Sequence, residues 1–213
     1  DTANALFGNA ASVLVGDFLY SRSFEMMVEL GSMPVMQILS KATRIIAEGE
    51  VLQLSKVRDA STSEETYMEV IRGKTAMLFE ASSHSAAVLA GADEVQTEAL
   101  RVFGDHLGVA FQLMDDLLDY RGDAQAMGKN VGDDLAEGKP TLPLIHAMRE
   151  GTPAQAELVR KAIQQGGSQD LESIRAAVEA AGSLDYTAQL ARHYAEKAIQ
   201  CLSTLPASTY RDA

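Results

Sequence analysis

Cysteine is nearly absent: the 213 residues hold one, Cys201. A single thiol permits neither an internal disulfide framework nor a cysteine-rich zinc site. Tryptophan is missing and proline numbers only 5, while Ala, Leu and Glu are frequent, a balance that favours helix. No apolar run is longer than a few residues, so no segment reads as a bilayer span. The chain opens without a cationic stretch followed by an apolar run and a cleavage site, so no secretory leader is expected. Positive charge is scarce as well. Lys and Arg total 18 against 30 Asp and Glu, a formal net charge of -12. That balance argues against nucleic acid and against an electrostatic membrane anchor as partners. Apolar side chains are plentiful, 46% of the chain, which excludes wholesale disorder. At this length one large domain or two small ones can bury a real core. A cytoplasmic protein is the expectation.

Leu6, Ala10, Val13, Leu14, Phe18 and Phe24 step by three or four, an apolar helical stripe. Gly31 and Ser32 interrupt it. Pro34 suits the first turn of a second helix carrying Met36, Leu39, Ile45, Ile46, Val51 and Leu54. Arg58 to Ser63 is a polar break. Thr62 and Glu65 have capping-box spacing before a long helix that ends at Leu89, with Gly91 beyond it. Asp93 and Gln96 open the next helix, which runs to about Tyr120. Gly122 to Lys139 reads as the longest loop. Shorter helices are expected over about 142–149, 153–165, 169–181 and 184–203, punctuated by Gly151, Gly166-Gly167 and Gly182. No stretch alternates long enough for a strand. The expectation is an all-α chain, one domain over 1–213, with the part beyond about residue 140 forming a smaller packed layer.

Chemistry concentrates in three stretches. Asp115 and Asp119 are four apart and share a helical face, with Asp116 beside them. They fall in the last turns of their helix, where the dipole disfavours negative charge, and only Arg121 is near in sequence to compensate. Carboxylates so placed call for an external cation, and oxygen-only ligands suit Mg²⁺. A solvated acidic helix end is the plainer alternative. The second stretch, Gly128 to Pro143, brings Lys129 and Lys139, two of seven lysines, close behind the acids. Lysines beside Mg²⁺ make a diphosphate site; an ordinary surface loop is the alternative. In the third, Lys74 interrupts the apolar helix Arg72 to Phe79 directly after Gly73. This is no P-loop, because Met68 stands where the motif requires glycine. A lysine snorkelling at a helix rim accounts for Lys74 taken alone. The four histidines lack metal spacing, and Cys201, among Ile199, Leu202 and Leu205, reads as core rather than nucleophile.

Together and in this order, these stretches resemble the trans-isoprenyl diphosphate synthase family, most of all its long-chain bacterial branch of octaprenyl type, which serves quinone biosynthesis. The likeness runs from Phe7-Gly8-Asn9 and Gly16-Asp17 through Glu48 to Leu54, Lys74-Thr75, Gln112 with Asp115, Asp116 and Asp119, to Gly128-Lys129 and Gly132 to Pro143. The resemblance implies an all-α terpenoid-synthase bundle around a central cavity. It implies a Mg²⁺-dependent prenyltransferase that joins isopentenyl diphosphate to an allylic diphosphate. By the same resemblance Asp115 is the main metal ligand and Asp116 and Asp119 are auxiliary. Lys74, Lys129 and Lys139 would bind the allylic diphosphate. Thr75 and Gln112 would orient substrate, with Gln53 on the facing helix. Phe18, Met26, Met27, Met36 and Leu39 are candidates for the wall of an apolar tunnel, Met27 and Leu39 for its deep end; plain core roles explain them equally. A homodimer through the apolar helices of the first hundred residues is implied too.

The family's first aspartate-rich motif, which would stand just before Asp1, is not in the chain, and the chain reads as incomplete at both ends. Taken literally, these 213 residues are expected to lack synthase activity. A non-catalytic subunit of a heteromeric prenyl synthase and a terpene cyclase stay open as alternatives. Neither product length nor preferred primer follows from the sequence.

Overall fold

A computed structural model describes residues 2–121, 132–166 and 171–212. Among them there is helix and no strand. Helix α1 is Ala3–Leu30, kinked at Gly8, where φ is 80° and ψ 168°. Then come α2 (Met33–Lys56), α3 (Glu64–Ile71), a π-helical turn (Arg72–Ala76) and α4 (Met77–Leu89). The long α5 is Glu94–Arg121, followed by the short α6 (Asp133–Glu137). The remaining helices are α7 (Leu142–Glu150), α8 (Pro153–Gln165), α9 (Leu171–Ala180), α10 (Ser183–Cys201) and α11 (Thr209–Asp212). None is long and apolar enough to cross a membrane.

Most boundaries sit where the sequence places them, with two differences. Asp93 does cap α5, accepting from the Gln96 N–H at 2.8 Å. The cap of α3 is Ser63, not Thr62: its hydroxyl accepts from the Thr66 N–H at 3.1 Å. Thr62 is buried and donates to the Asp59 carbonyl instead. Part of the expected 122–139 loop folds as α6, because left-handed Gly132 and Gly138 bracket five helix-compatible residues. Cys201 is half-buried rather than core, and burial pushes its thiol up, away from thiolate chemistry.

Helix α5 is the axis, packed on α4 along one side and α10 along another. One apolar core joins Tyr67, Ile71, Val109, Leu113, Leu142 and Ala191. A second joins the end of α5 to α6–α9 through Tyr120, Leu135, Leu144, Val159, Ile163 and Val178. Two glycines set how closely the axes approach. A Cβ on Gly108 would stand 2.5 Å from the Ala76 Cα. A Cβ on Gly49 of α2 would stand 2.6 Å from the Lys74 backbone nitrogen and 2.7 Å from the Gly73 carbonyl carbon. Both fall far inside van der Waals contact, so only a residue without Cβ permits these crossings.

The stripe read on α1 does form, but little covers it. Phe7, Leu14 and Phe18 are exposed by 72%, 67% and 66%, and on α2 Val51 and Leu54 face outward too. A patch of this kind marks an interaction surface.

The C-terminal layer is tied to α3 by polar contacts. Arg149 donates to Glu64 at 2.7 Å and the Tyr186 hydroxyl donates to the same carboxylate at 2.6 Å. The buried His146 ring stacks on Tyr186 at 4.2 Å, with Nδ1 2.9 Å from the Ser183 hydroxyl. Burial, then the charge of Arg149, holds His146 below its ordinary pKa of 6.5. A base with a lowered folded value is protonated first in the unfolded chain. Its stabilisation is present above about 6.5 and is lost as pH falls from there through the lower folded value. Thermal melts from about pH 7.5 to about pH 5 are expected to show a falling midpoint, and His146→Gln to flatten that slope. A parallel slope in the variant would remove His146 as its cause. Glu64 adds nothing there: its hydrogen bonds outweigh the opposing burial and hold its pKa below 4.5, so its loss comes at lower pH.

Candidate functional site

Gln53 from α2, Tyr67 from α3, Lys74 from the π-turn, Asp116 from α5, Asp134 from α6 and Lys139 line one pocket. Its volume is about 30 Å³, room for little more than a water or a small ion. The π-turn widens the backbone where Lys74 and Thr75 stand, a local irregularity frequent at functional sites. The expected Gln53, Lys74, Asp116 and Lys139, spread over 86 residues of sequence, thus converge.

A hydrogen-bond chain runs behind the pocket. The Thr75 hydroxyl donates to the Gln112 Oε1 at 2.7 Å. The Gln112 Nε2 donates to the Asp116 Oδ1 at 2.7 Å and reaches toward Asp115 Oδ2 at 3.4 Å. The Tyr67 hydroxyl donates to the Asp116 Oδ2 at 2.6 Å. Burial, then the charge of Asp134, raises Asp116 to about 7, although Tyr67, Gln112 and Lys74 pull the other way. Asp119 is raised to about 6 by burial and by Asp134. Its oxygens accept the Gly132 and Asp134 backbone N–H groups at 3.2 and 3.3 Å.

The three acids therefore face three ways. Asp116 turns to Tyr67 and Gln112, Asp119 holds the start of α6, and Asp115 stays half-exposed between them. Among the described residues no group of three or more His, Cys, Asp or Glu side chains is gathered closely enough to hold a metal ion. Arg121, the expected compensating charge, pairs with Asp185 at 2.6 Å instead. The donor set still fits a hard cation. Its atoms are oxygens, and two buried carboxylates are raised by burial and by the negative charge of Asp134, which a bound cation would offset. Mg²⁺ binds with one or two carboxylates plus waters and substrate phosphates, so a single ligating carboxylate meets its needs.

Lys139 is held in ion pairs, with Glu137 at 2.6 Å and Asp134 at 3.4 Å. Burial alone would lower its pKa, but these partners outweigh it and hold the ammonium above its ordinary value. Lys129 lies outside the described residues. Tyr67 and Lys56 line the pocket outside the motifs, and Asp134 lies within the Gly132 to Pro143 stretch but had no role assigned to it. Tyr67 stands seven residues before Lys74, two turns away on one face, and that spacing was the available signal.

A second cavity, about 800 Å³ and walled almost wholly by apolar side chains, lies between α1, α2 and α4. Met26, Met27 and Leu39 line it, with Ile46, Leu78 and Leu89. Phe18 and Met36 are not in its wall. Leu78 is one turn beyond Lys74 and Ile46 two turns before Gln53, so both cavities open on one face of the α2–α4 seam.

A buried carboxylate cluster with lysines, set beside an apolar cavity in an all-α bundle, is the arrangement of the terpenoid-synthase fold. The chain belongs to the polyprenyl synthetase family, whose model matches residues 1–181. It is 55% identical over 213 residues to octaprenyl diphosphate synthase of Escherichia coli (strain K12), covering all of this chain and 66% of that protein. It is 49% identical over 212 residues to the geranyl-diphosphate-specific all-trans-nonaprenyl-diphosphate synthase of Rhodobacter capsulatus, of which it covers 65%. Polyprenyl synthase from Caulobacter crescentus CB15, solved with calcium and isoprenyl diphosphate, superposes with a TM-score of 0.92 at 47% identity, over 99% of this chain and 65% of that one. The chain thus spans just under two thirds of the length of the curated relatives it matches.

Proposed function

We propose that this chain is the metal- and allylic-diphosphate-binding part of a prenyltransferase. The whole enzyme would condense isopentenyl diphosphate with an allylic diphosphate into a long all-trans polyprenyl diphosphate of octaprenyl type, for a quinone side chain. The observation that carries this is the meeting of Gln53, Lys74, Asp116 and Lys139 at one polar pocket beside an apolar cavity. The likeness to octaprenyl and nonaprenyl synthases supports the product class.

Asp115 would hold Mg²⁺, which when bound supplies Lewis-acid neutralisation of the departing diphosphate. Asp116 and Asp119 serve it by holding Gln112 and the start of α6 in place. Lys74 and Lys139 supply preorganised positive charge toward the diphosphate oxygens, and Lys129 adds a third by its place in the motif. Thr75 and Gln112 would orient the substrate near the reacting carbon through polar contacts. The apolar cavity takes the growing chain, with Met27 and Leu39 in its wall. The two cores meet on α5 and α7, which supports a single domain. The uncovered apolar face of α1 supports a homodimer, and the lack of a spanning helix among the described residues is consistent with a cytoplasmic enzyme.

Calorimetric titration of inorganic diphosphate into the 213-residue chain tests the reading. Binding is expected with Mg²⁺ present and is expected to vanish in excess chelator, since the acids repel a bare anion. Binding that persists in chelator, or none under either condition, would sink it.

A further inference from the structure

We infer that Tyr67 is a positioning residue whose hydroxyl, acting through Asp116, fixes which way the Gln112 carboxamide faces. The inference rests on the reading that Gln112 and Asp115 serve a diphosphate site.

The Tyr67 ring is 4% exposed and packs in the core with Ile71, Val109 and Leu113. A phenol there costs more than a phenylalanine unless its hydroxyl is paired. Its partner is a carboxylate 49 positions away, on another helix. Tyr67 occupies Asp116 Oδ2, so Oδ1 is the oxygen turned toward Gln112. A carboxylate oxygen only accepts, so Gln112 must present its NH2 group there. The carboxamide oxygen then faces Thr75, whose hydroxyl proton is spent on it. Two consequences reach the pocket. Thr75 offers lone pairs rather than a proton, and the Gln112 NH2 group points along Asp115. Without the Tyr67 hydroxyl the carboxylate is free to turn away from Gln112, and the carboxamide loses the acceptor that orients it.

The experiment uses the ¹⁵N-labelled 213-residue chain, reading the Gln112 side-chain NH2 signal after assignment through the backbone. In the wild type it should exchange with solvent at least about tenfold more slowly than that of the exposed Gln37. Tyr67→Phe should erase most of that difference. Mg²⁺-dependent affinity for inorganic diphosphate should fall about tenfold in the same variant. A merely structural role would lower the melting temperature and leave the Gln112 signal alone. Unchanged exchange in Tyr67→Phe overturns the inference, as does faster exchange with unchanged affinity. Should that variant fail to fold, the wild-type measurement still decides: rapid exchange of both Gln112 protons overturns it. Asp116→Asn, which breaks the relay at its centre, is expected to release Gln112 in the same way. Failure of the wild type to bind diphosphate would instead fell the functional reading, with the exchange data still judging the relay.

Discussion

Gly49→Ala is expected to push α2 away from the π-turn and to carry Lys74 with it. The added methyl would lie 2.6 Å from the Lys74 nitrogen and 2.7 Å from the Gly73 carbonyl carbon. These are backbone atoms, so no rotamer change relieves the clash. Alanine gains about 1 kcal/mol over glycine in a helix interior. Overpacking a tight contact costs about 1–3 kcal/mol and shifts backbone. The clash wins because the helices must part along their whole crossing. A net loss of about 1 kcal/mol corresponds to a melting temperature lower by roughly 2–4 °C for a chain of this size. Diphosphate affinity should fall with it, because Lys74 is one of the two displaced residues. Gly16→Ala is the control. A Cβ there meets nothing within 4 Å, so its melting temperature should stay level or rise slightly. Equal melting temperatures for the two variants would mean that the α2 crossing yields, and that Gly49 does not set the place of Lys74.

The helices were legible because their punctuation is local. A glycine, a proline or an Asp cap acts within one turn, and the apolar period follows from 3.6 residues per turn. The convergence of Gln53, Lys74, Asp116 and Lys139 was legible only through the family resemblance, since no local rule links α2 to α5. Spacing placed Asp115 and Asp119 on one face and Asp116 about 100° around it, as helix geometry requires. It did not give their partners. Asp119 turned to backbone N–H groups of the next element, and Asp116 to a tyrosine 49 positions upstream. Arg121 was assigned to the acids by nearness in sequence, but it reaches out to Asp185, 64 positions on. Tyr67 stayed hidden for a related reason. In a stripe with Val70 and Ile71 a tyrosine reads as core, and it is core; only its hydroxyl belongs to the site. The π-turn left no signal in composition; it lies where Gly49 of α2 approaches Gly73, a contact between segments far apart in sequence.

Lys74→Ala is expected to weaken Mg²⁺-dependent diphosphate binding by about 30- to 100-fold, the loss of a charge-assisted hydrogen bond of about 2–3 kcal/mol. Lys139→Ala should cost clearly less. The reason lies in what each ammonium leaves behind. Lys139 is already paired with Glu137 and Asp134 and must give up part of those contacts to meet a ligand. Lys74 forms no salt bridge with a described residue, although its charge acts on buried Asp116. More of its electrostatic gain than of Lys139's is therefore available to an incoming anion. Removing it also takes away the cation that acts on buried Asp116, which makes the pocket still less hospitable to diphosphate. Lys74→Arg should restore binding only in part, because a planar guanidinium does not reproduce the compact point charge of the ammonium. Titration calorimetry on the three variants at one Mg²⁺ concentration reads the order directly. A larger loss for Lys139→Ala than for Lys74→Ala would mean that the ligand approaches from the α6 side and that the π-turn only shapes the floor.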